Sequence, residues 1–303
     1  MPDSANFRQL RDRARAQLMA AGIQSAVSDV DWILADVLGV SRSGLSIEPP
    51  LTGDQVEQFV ALVDRRARRE PLQHVLGHAW FRHLTLAVGP GVFVPRPETE
   101  LLVELALAAP ALAGGGGPAL VVDLCAGSGA IALGLATERP HTRVVAIELL
   151  PAALVWTGRN IDRHRQQVAS VGSTVELVAG DAGKSDEVLT HLLGLVDVVT
   201  CNPPYIPQDA VPRDPEVRDY DPPEALYGGD DGLDVVRAVV RSAARLLRPG
   251  GTLLIEHGDH QGFEAGQLGV PGAVEQSGDF LDIIDHLDLT ERPRVTVATR
   301  RPH

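Results

Sequence analysis

Four consecutive residues, Asn202-Pro203-Pro204-Tyr205, combine a side-chain amide, two prolines and an aromatic ring. The run before them, residues 195–201, is hydrophobic and reads as a buried strand. The four therefore fall at the C-terminal end of a strand, where open α/β sheets carry their ligands. Each proline removes a backbone N–H. What remains is rich in acceptors: the Asn202 side-chain oxygen and the backbone carbonyls. Such a site can hold a planar –NH2 group by both its hydrogens and cover its face with the Tyr205 ring. Asn-Pro and Pro-Pro are also ordinary turn signals, so these residues alone fit either an amine-holding site or a turn.

Three further strand ends carry residues suited to a nucleotide. Residues 119–124 read as a strand and run into Cys125-Ala126-Gly127-Ser128-Gly129. Gly127 and Gly129 allow close backbone approach to a ligand, and the helix expected next offers free N–H groups at its start. Glu148 ends a second strand, where a carboxylate can accept from ribose hydroxyls or stand as a solvated acid beside a turn. Asp181, followed by Ala182, comes after a third strand and can accept from an adenine amino group or cap a turn. A nicotinamide dehydrogenase accounts for the glycine loop and Glu148 but leaves Asn202 to Tyr205 unused, and no hydride-transfer acid/base pair stands out. A methyltransferase using S-adenosyl-L-methionine accounts for all four strand ends.

The elements that must position these residues follow an alternating pattern. Strands expected at 119–124, 143–147, 175–178, 195–201 and 252–256 are separated by helices expected at 130–138, 152–165, 186–193 and 233–247. This is the signature of a doubly wound parallel sheet. Segments 280–284 and 295–299 read as two more strands, the last of which fits either a parallel strand or an antiparallel return. A loop rich in Pro, Asp and Gly spans 206–232. Residues 114–117 are all glycine and read as a flexible linker.

Upstream, residues 1–72 read as helices. Phe7, Leu10, Ala14 and Leu18 share one helical face; Val30, Ile33, Leu34, Val37 and Leu38 share another, with Ser28 as N-cap and Gly39 at the C-terminal end. Thr52 and Gln55 have the form of a capping box opening a helix with Val56, Phe59, Val60 and Val63 inward. Arg65, Arg66, Arg68 and Arg69 close that helix, either as cations at its negative end or as a contact to an acidic partner or RNA. Residues 73–95 carry β-prone pieces around Gly89-Pro90-Gly91 and read as a hairpin linker. Residues 96–303 then form the catalytic domain.

The net charge is −13. Residues 1–72 hold 9 Arg and no Lys against 10 acidic residues, so the excess of acid falls almost wholly downstream, around the strand ends. An enzyme acting on nucleic acid must neutralise phosphates, so this balance argues against DNA or RNA as substrate and favours a cationic cofactor. Two cysteines make no disulfide framework, which points to a reducing, cytoplasmic setting. No apolar run reaches the length of a membrane span, no leader is apparent, and the Cys and His spacing holds no metal motif. A monomer is expected.

Beyond these motifs, the chain resembles the HemK/PrmC family over nearly its whole length. Arg69-Glu70-Pro71-Leu72-Gln73-His74-Val75-Leu76-Gly77 looks like the family's domain junction, and Val94-Pro95-Arg96-Pro97-Glu98-Thr99-Glu100 like its Pro-Arg-Pro-Asp-Thr-Glu segment. Residues 123–129 resemble its cofactor loop, residues 225–233 and 249–258 follow its pattern, and Asn202 to Tyr205 are identical to its signature. The signature alone is shared with amino methyltransferases acting on adenine.

The resemblance implies an α/β class I S-adenosylmethionine-dependent methyltransferase: a Rossmann-like, seven-stranded, mostly parallel sheet, a small N-terminal helical-bundle domain that recognises substrate, and a β-hairpin linker. It implies transfer of a methyl group to the side-chain amide nitrogen (N5) of the glutamine in the Gly-Gly-Gln motif of peptide chain release factors, with S-adenosyl-L-homocysteine as product. Asn202 and the Pro203 carbonyl would accept the two amide hydrogens, with Pro204 and Tyr205 completing the catalytic site. Cys125, Ala126, Gly127, Ser128, Gly129, Glu148, Asp181, Ala182 and Asn202 would line the cofactor. No dedicated base for the departing proton stands out.

The chain departs from the family at Cys125, where a glycine is usual, at Glu148, where Asp is usual, and at Ala182, where an aromatic residue is frequent. Residues 257–280 are glycine-rich and look poorly helical. Other readings are methylation of a ribosomal-protein glutamine, methylation of adenine N6 in DNA, or a non-catalytic scaffold that binds the cofactor.

Overall fold

The computed structural model describes residues 4–113 and 117–302, and the chain divides into two compact units. One comprises the chain up to His78 with Pro212–Tyr220; the other comprises Ala79–Val211 and the chain from Asp221 onward. The glycine linker expected at 114–117 lies, apart from Gly117, outside the described residues.

The first unit is built from α1 (Ser4–Ala20), α2 (Ala26–Leu38), α3 (Gly53–Ala67) and α4 (Leu72–Leu76). Phe7, Leu18, Ile33, Leu34, Phe59 and Val75 meet in its core. Helix α2 starts one turn earlier than the sequence suggests, with Ser25 at the N-cap position and Ser28 inside the first turn. It stops at Gly39, which takes the left-handed φ of 65°. Helix α3 opens with the expected capping box: the Gln55 N–H donates to Thr52 Oγ1 (3.3 Å) and the Thr52 N–H donates to Gln55 Oε1 (2.9 Å).

The inward stripe of α3 differs from expectation. Phe59, Val63 and Arg66 are buried, while Val60 is 42% exposed. An arginine holds the third inward position because its charge is met there. Arg66 Nε donates to Asp29 Oδ2 (2.7 Å), and its Nη1 lies 2.8 Å from Glu216 Oε1. Arg69 donates to Glu216 Oε2 (2.7 Å), and Arg65 Nε to Glu70 Oε2 (2.9 Å). Three of the four arginines are thus committed to carboxylates inside the unit. Glu216 is pushed up by burial but held below the usual carboxylate range by Arg69 and Arg66. Buried pairs of this kind hold register more than they add stability.

From Ala79 onward the second unit holds a two-stranded hairpin, β1 (His78–Phe81) and β2 (Leu84–Ala87). Phe81, Leu84 and Leu86 pack in one core with Leu102, Val103 and Ala106 of α5 (Glu100–Ala108). Alternation then follows: β3 (Ala119–Leu124), α6 (Ala130–Glu138), β4 (Thr142–Glu148), α7 (Pro151–Ser170), β5 (Thr174–Ala179), α8 (Ser185–Val188) and β6 (Val196–Cys201). After β6 the chain contributes α9 (Pro215–Tyr220) to the helical unit, which carries Glu216. It returns for α10 (Asp234–Leu246), β7 (Leu247–Glu256), α11 (Val270–Ser277), β8 (Phe280–Leu287) and β9 (Pro293–Arg300). Helix α11 shows that residues 257–280 are partly helical, after an irregular stretch broken at Gly266.

The seven strands form one sheet in the order β5-β4-β3-β6-β7-β9-β8. The first five are parallel; β9 runs antiparallel to both β7 and β8, so the last strand is a return. Both faces are covered, and side chains alternate between two cores. Val122, Leu124, Val199, Cys201, Leu253 and Ile255 face the core of α10 and α11. Val121, Val198 and Leu254 face that of α5 and α6. The sorting of side chains between two cores over three neighbouring strands fixes their register, because a one-residue slip would exchange the faces. The register in turn fixes where the strand ends fall.

Candidate active site

Leu124 of β3 pairs with Ile147 of β4 and Cys201 of β6, and Cys201 pairs with Ile255 of β7. In sheet order, the C-terminal edge therefore presents Asp181 after β5, Glu148 at the end of β4, Cys125 to Gly129 after β3, Asn202 to Tyr205 after β6, and Glu256 at the end of β7. The topology gathers every candidate residue of the sequence on this one edge.

Cys125 keeps the left-handed conformation that its usual glycine would favour, with φ 60°, as do Gly127 (57°) and Gly129 (81°). The loop is tied down on three sides. The Ala126 N–H donates to the Ile147 carbonyl (2.9 Å) and the Gly127 N–H to Glu148 Oε2 (2.7 Å). Thr157 Oγ1 donates to the Gly127 carbonyl (2.6 Å) and Asn160 Nδ2 to the Ser128 carbonyl (2.9 Å), both from α7. Beneath it, buried Asp123 accepts from the Ala132 N–H (3.1 Å) and Thr200 Oγ1 (2.8 Å). Burial pushes its carboxyl up to about 7. Thr157 and Asn160 carry no motif, and only their fully buried positions on α7 mark them.

Glu148 is buried, and its Oε1 also accepts from the Leu149 and Leu150 N–H groups, each at 2.8 Å. Three of about four lone-pair sites on the carboxylate thus go to the backbone. The solvated-acid reading does not describe it. Asp181 is exposed, and its Oδ1 accepts from the Gly183 N–H (2.9 Å), capping a short turn. Ala182 is buried. These groups fit S-adenosylmethionine: a loop whose backbone a ligand can approach, the open start of α6, and carboxylates on the neighbouring strand ends.

The Asn202 turn is held from its far side. Gln261 Nε2 donates to the Tyr205 carbonyl (3.0 Å), the Ile206 N–H to the Leu226 carbonyl (2.8 Å), and the Gly228 N–H to the Ile206 carbonyl (2.9 Å). Pro203 is buried; Asn202, Pro204 and Tyr205 are half-buried. Burial, with Glu256 nearby, pushes the Tyr205 hydroxyl up to about 12, so it stays neutral. Asn202 Nδ2 donates to Thr99 Oγ1 (3.3 Å). Thr99 and Glu256, each 3% exposed, complete the group; they fall in segments 94–100 and 249–258, to which the sequence assigned no site role. Cys125 and Cys201 are free thiols, and burial followed by contact with Cys125 pushes the Cys201 thiol up.

Comparison with known proteins places relatives beside this geometry. The family model of the PrmC N-terminal domain matches residues 9–77. A release factor glutamine methyltransferase of Mycolicibacterium smegmatis is 44% identical over 289 residues, covering 95% of this chain and 96% of that protein. A 4-amino-L-phenylalanine/4-methylamino-L-phenylalanine methyltransferase of Streptomyces pristinaespiralis is 41% identical over 255 residues, covering 84% of this chain and 83% of that protein. Among solved structures, the 16S rRNA N2 G1207 methyltransferase of T. thermophilus, in complex with AdoMet and guanosine, aligns with a TM-score of 0.50 at 24% identity. It covers 74% of this chain and 50% of that chain, and the likeness extends to the fold. Among the described residues no helix is long and apolar enough to cross a membrane.

Proposed function

The chain belongs to the family of release factor glutamine methyltransferases, and from that premise we propose that it methylates the side-chain amide nitrogen of the glutamine in the Gly-Gly-Gln motif of a release factor. The observation that carries the reading is the adjacency of the β3 loop and the Asn202 turn, which end neighbouring paired strands. A cofactor held by the first presents its reactive end beside the second.

An amide nitrogen is a poor nucleophile because its lone pair is delocalised. Asn202 Oδ1 and the Pro203 carbonyl accept the two amide hydrogens, which fixes the group and draws electron density onto nitrogen. Tyr205, neutral at any working pH, covers the amide plane. Glu148 holds the ribose with its remaining acceptor site, and Asp181 takes the adenine amino group. S-adenosylmethionine, when bound, supplies an electrophilic methyl group on a sulfonium and leaves as S-adenosylhomocysteine. With the methyl group supplied in this way, the nitrogen held by Asn202 and Pro203 would take it up and lose its surplus N–H proton to solvent. Positioning and electrostatics provide the acceleration. The helical residues 1–72 recognise the release factor, and the protein acts as a cytoplasmic monomer.

A second reading, transfer to an aromatic amine, draws on the relative that acts on 4-amino-L-phenylalanine. Incubation with labelled S-adenosylmethionine and separate pools of release factor, ribosomes, DNA and 4-amino-L-phenylalanine distinguishes these acceptors. Label is expected in the release factor, on glutamine. Label in another pool, with none in the release factor, overturns the assignment.

A further inference from the structure

Asn202 can serve an incoming amide only if its oxygen, and not its nitrogen, faces outward. The two ends of a carboxamide are nearly equal in shape, so the choice rests on what the buried end meets. Here it meets acceptors. Nδ2 donates to Thr99 Oγ1, a residue 103 positions away in sequence. Glu256, at the end of the neighbouring strand β7, brings a buried carboxyl whose pKa both Thr99 and Asn202 pull down. Its Oε2 is buried and has no partner among the described residues. Leaving a carboxylate oxygen buried and unpaired is unfavourable for folding, and such groups concentrate at functional sites.

We propose that Glu256 and Thr99 are positioning residues that hold the Asn202 amide nitrogen inward and so present its Oδ1 to the methyl-accepting amide. This deepens the proposed function and rests on Asn202 being the acceptor clamp. The ionised carboxylate is the effective form: it accepts from both neighbours, whereas the protonated acid has a donor to place and releases Asn202 to turn.

Burial pushes the Glu256 carboxyl up to about 7, against the opposing pull of Thr99 and Asn202. Glu98, from the turn preceding α5, raises it, and Arg294 of β9 lowers it. Tyr205 and Cys201 also feel this carboxyl, and both are pushed up, so each stays neutral near pH 7. Asp123, under the glycine loop, also titrates near about 7. A variant of Glu256 itself is therefore needed to assign the pH dependence. Turnover is expected to fall as pH drops through about 7. Stability runs the opposite way, because a carboxyl raised above its unfolded value favours the native state while protonated and opposes it once ionised.

The test uses Glu256→Gln, Thr99→Val and Thr99→Ser, each measured for kcat, KM for the release factor, cofactor affinity, pH profile and melting temperature. Glu256→Gln is expected to lose on the order of 100-fold in kcat, the scale of a misplaced reacting group. It should keep cofactor affinity, lose the acid limb of the profile, and melt no lower than wild type at pH 8. Thr99→Val should lose turnover and Thr99→Ser should recover it. Wild-type kcat and pH profile in Glu256→Gln, or equal loss in both Thr99 variants, overturns the inference. Asn202→Ala separates the two levels. If it is inactive while Glu256→Gln behaves as wild type, only the positioning inference falls. If Asn202→Ala turns over normally, the clamp and this inference fall together.

Discussion

Gly232 lies directly against the backbone of Tyr205: a Cβ at Gly232 would stand 2.3 Å from the Tyr205 carbonyl oxygen. The segment 225–233, which follows the family pattern far from the signature in sequence, is thus the wall behind the acceptor turn. Gly228 is equally close, with its Cβ position 2.5 Å from the Pro204 carbonyl oxygen. Gly232 also takes a φ of 77°, which penalises any side chain. Gly232→Ala should therefore cost about 1–3 kcal/mol of stability, the range for forcing an atom into a packed site. It should lower kcat more than cofactor affinity. An unchanged melting temperature would contradict the packing described.

Glu148 has two tasks that substitution can separate. Its carboxylate accepts from three backbone N–H groups, one of them Gly127 in the cofactor loop. The proposal adds a ribose contact. Glu148→Ala is expected both to lower the melting temperature and to raise the dissociation constant for S-adenosylmethionine, measured by calorimetry. A lower melting temperature with unchanged affinity would leave Glu148 as a loop anchor only.

Cys125 holds a left-handed conformation without being glycine. That backbone state is unfavourable for L-residues by about 1–2 kcal/mol, and worst for β-branched ones. Cys125→Gly is expected to be at least as stable as wild type, with cofactor affinity retained. Cys125→Val is expected to melt lower. Equal stability of the two variants, by thermal denaturation, would count against the conformation.

Much of this was legible from residues alone, for physical reasons. Strands β3, β4, β6 and β7 are buried on both faces along most of their length, so they read as hydrophobic runs, and their ends mark the site. The glycine loop and the Asn202 turn are local motifs. What escaped is non-local. Thr99, Thr157, Asn160 and Glu256 act through partners on other elements; segments 94–100 and 249–258 follow the family pattern, but a motif does not show which distant group its residues meet. Val60 and Ser28 failed for a related reason. A helical stripe does not reveal that Arg66 can take an inward position when Asp29 and Glu216 meet its charge. A plausible cap is likewise displaced when the helix starts one turn earlier, at Ser25.

The central claim is that Asn202, though it also lines the cofactor, serves chiefly to hold the accepting amide. Single turnover of Asn202→Ala with labelled S-adenosylmethionine and a release factor, run beside cofactor binding by calorimetry, tests it most directly. The account predicts cofactor affinity close to wild type and methyl transfer reduced by at least about 100-fold, as expected when a reacting group loses its orientation. Methyl transfer at the wild-type rate with the cofactor bound normally would contradict it.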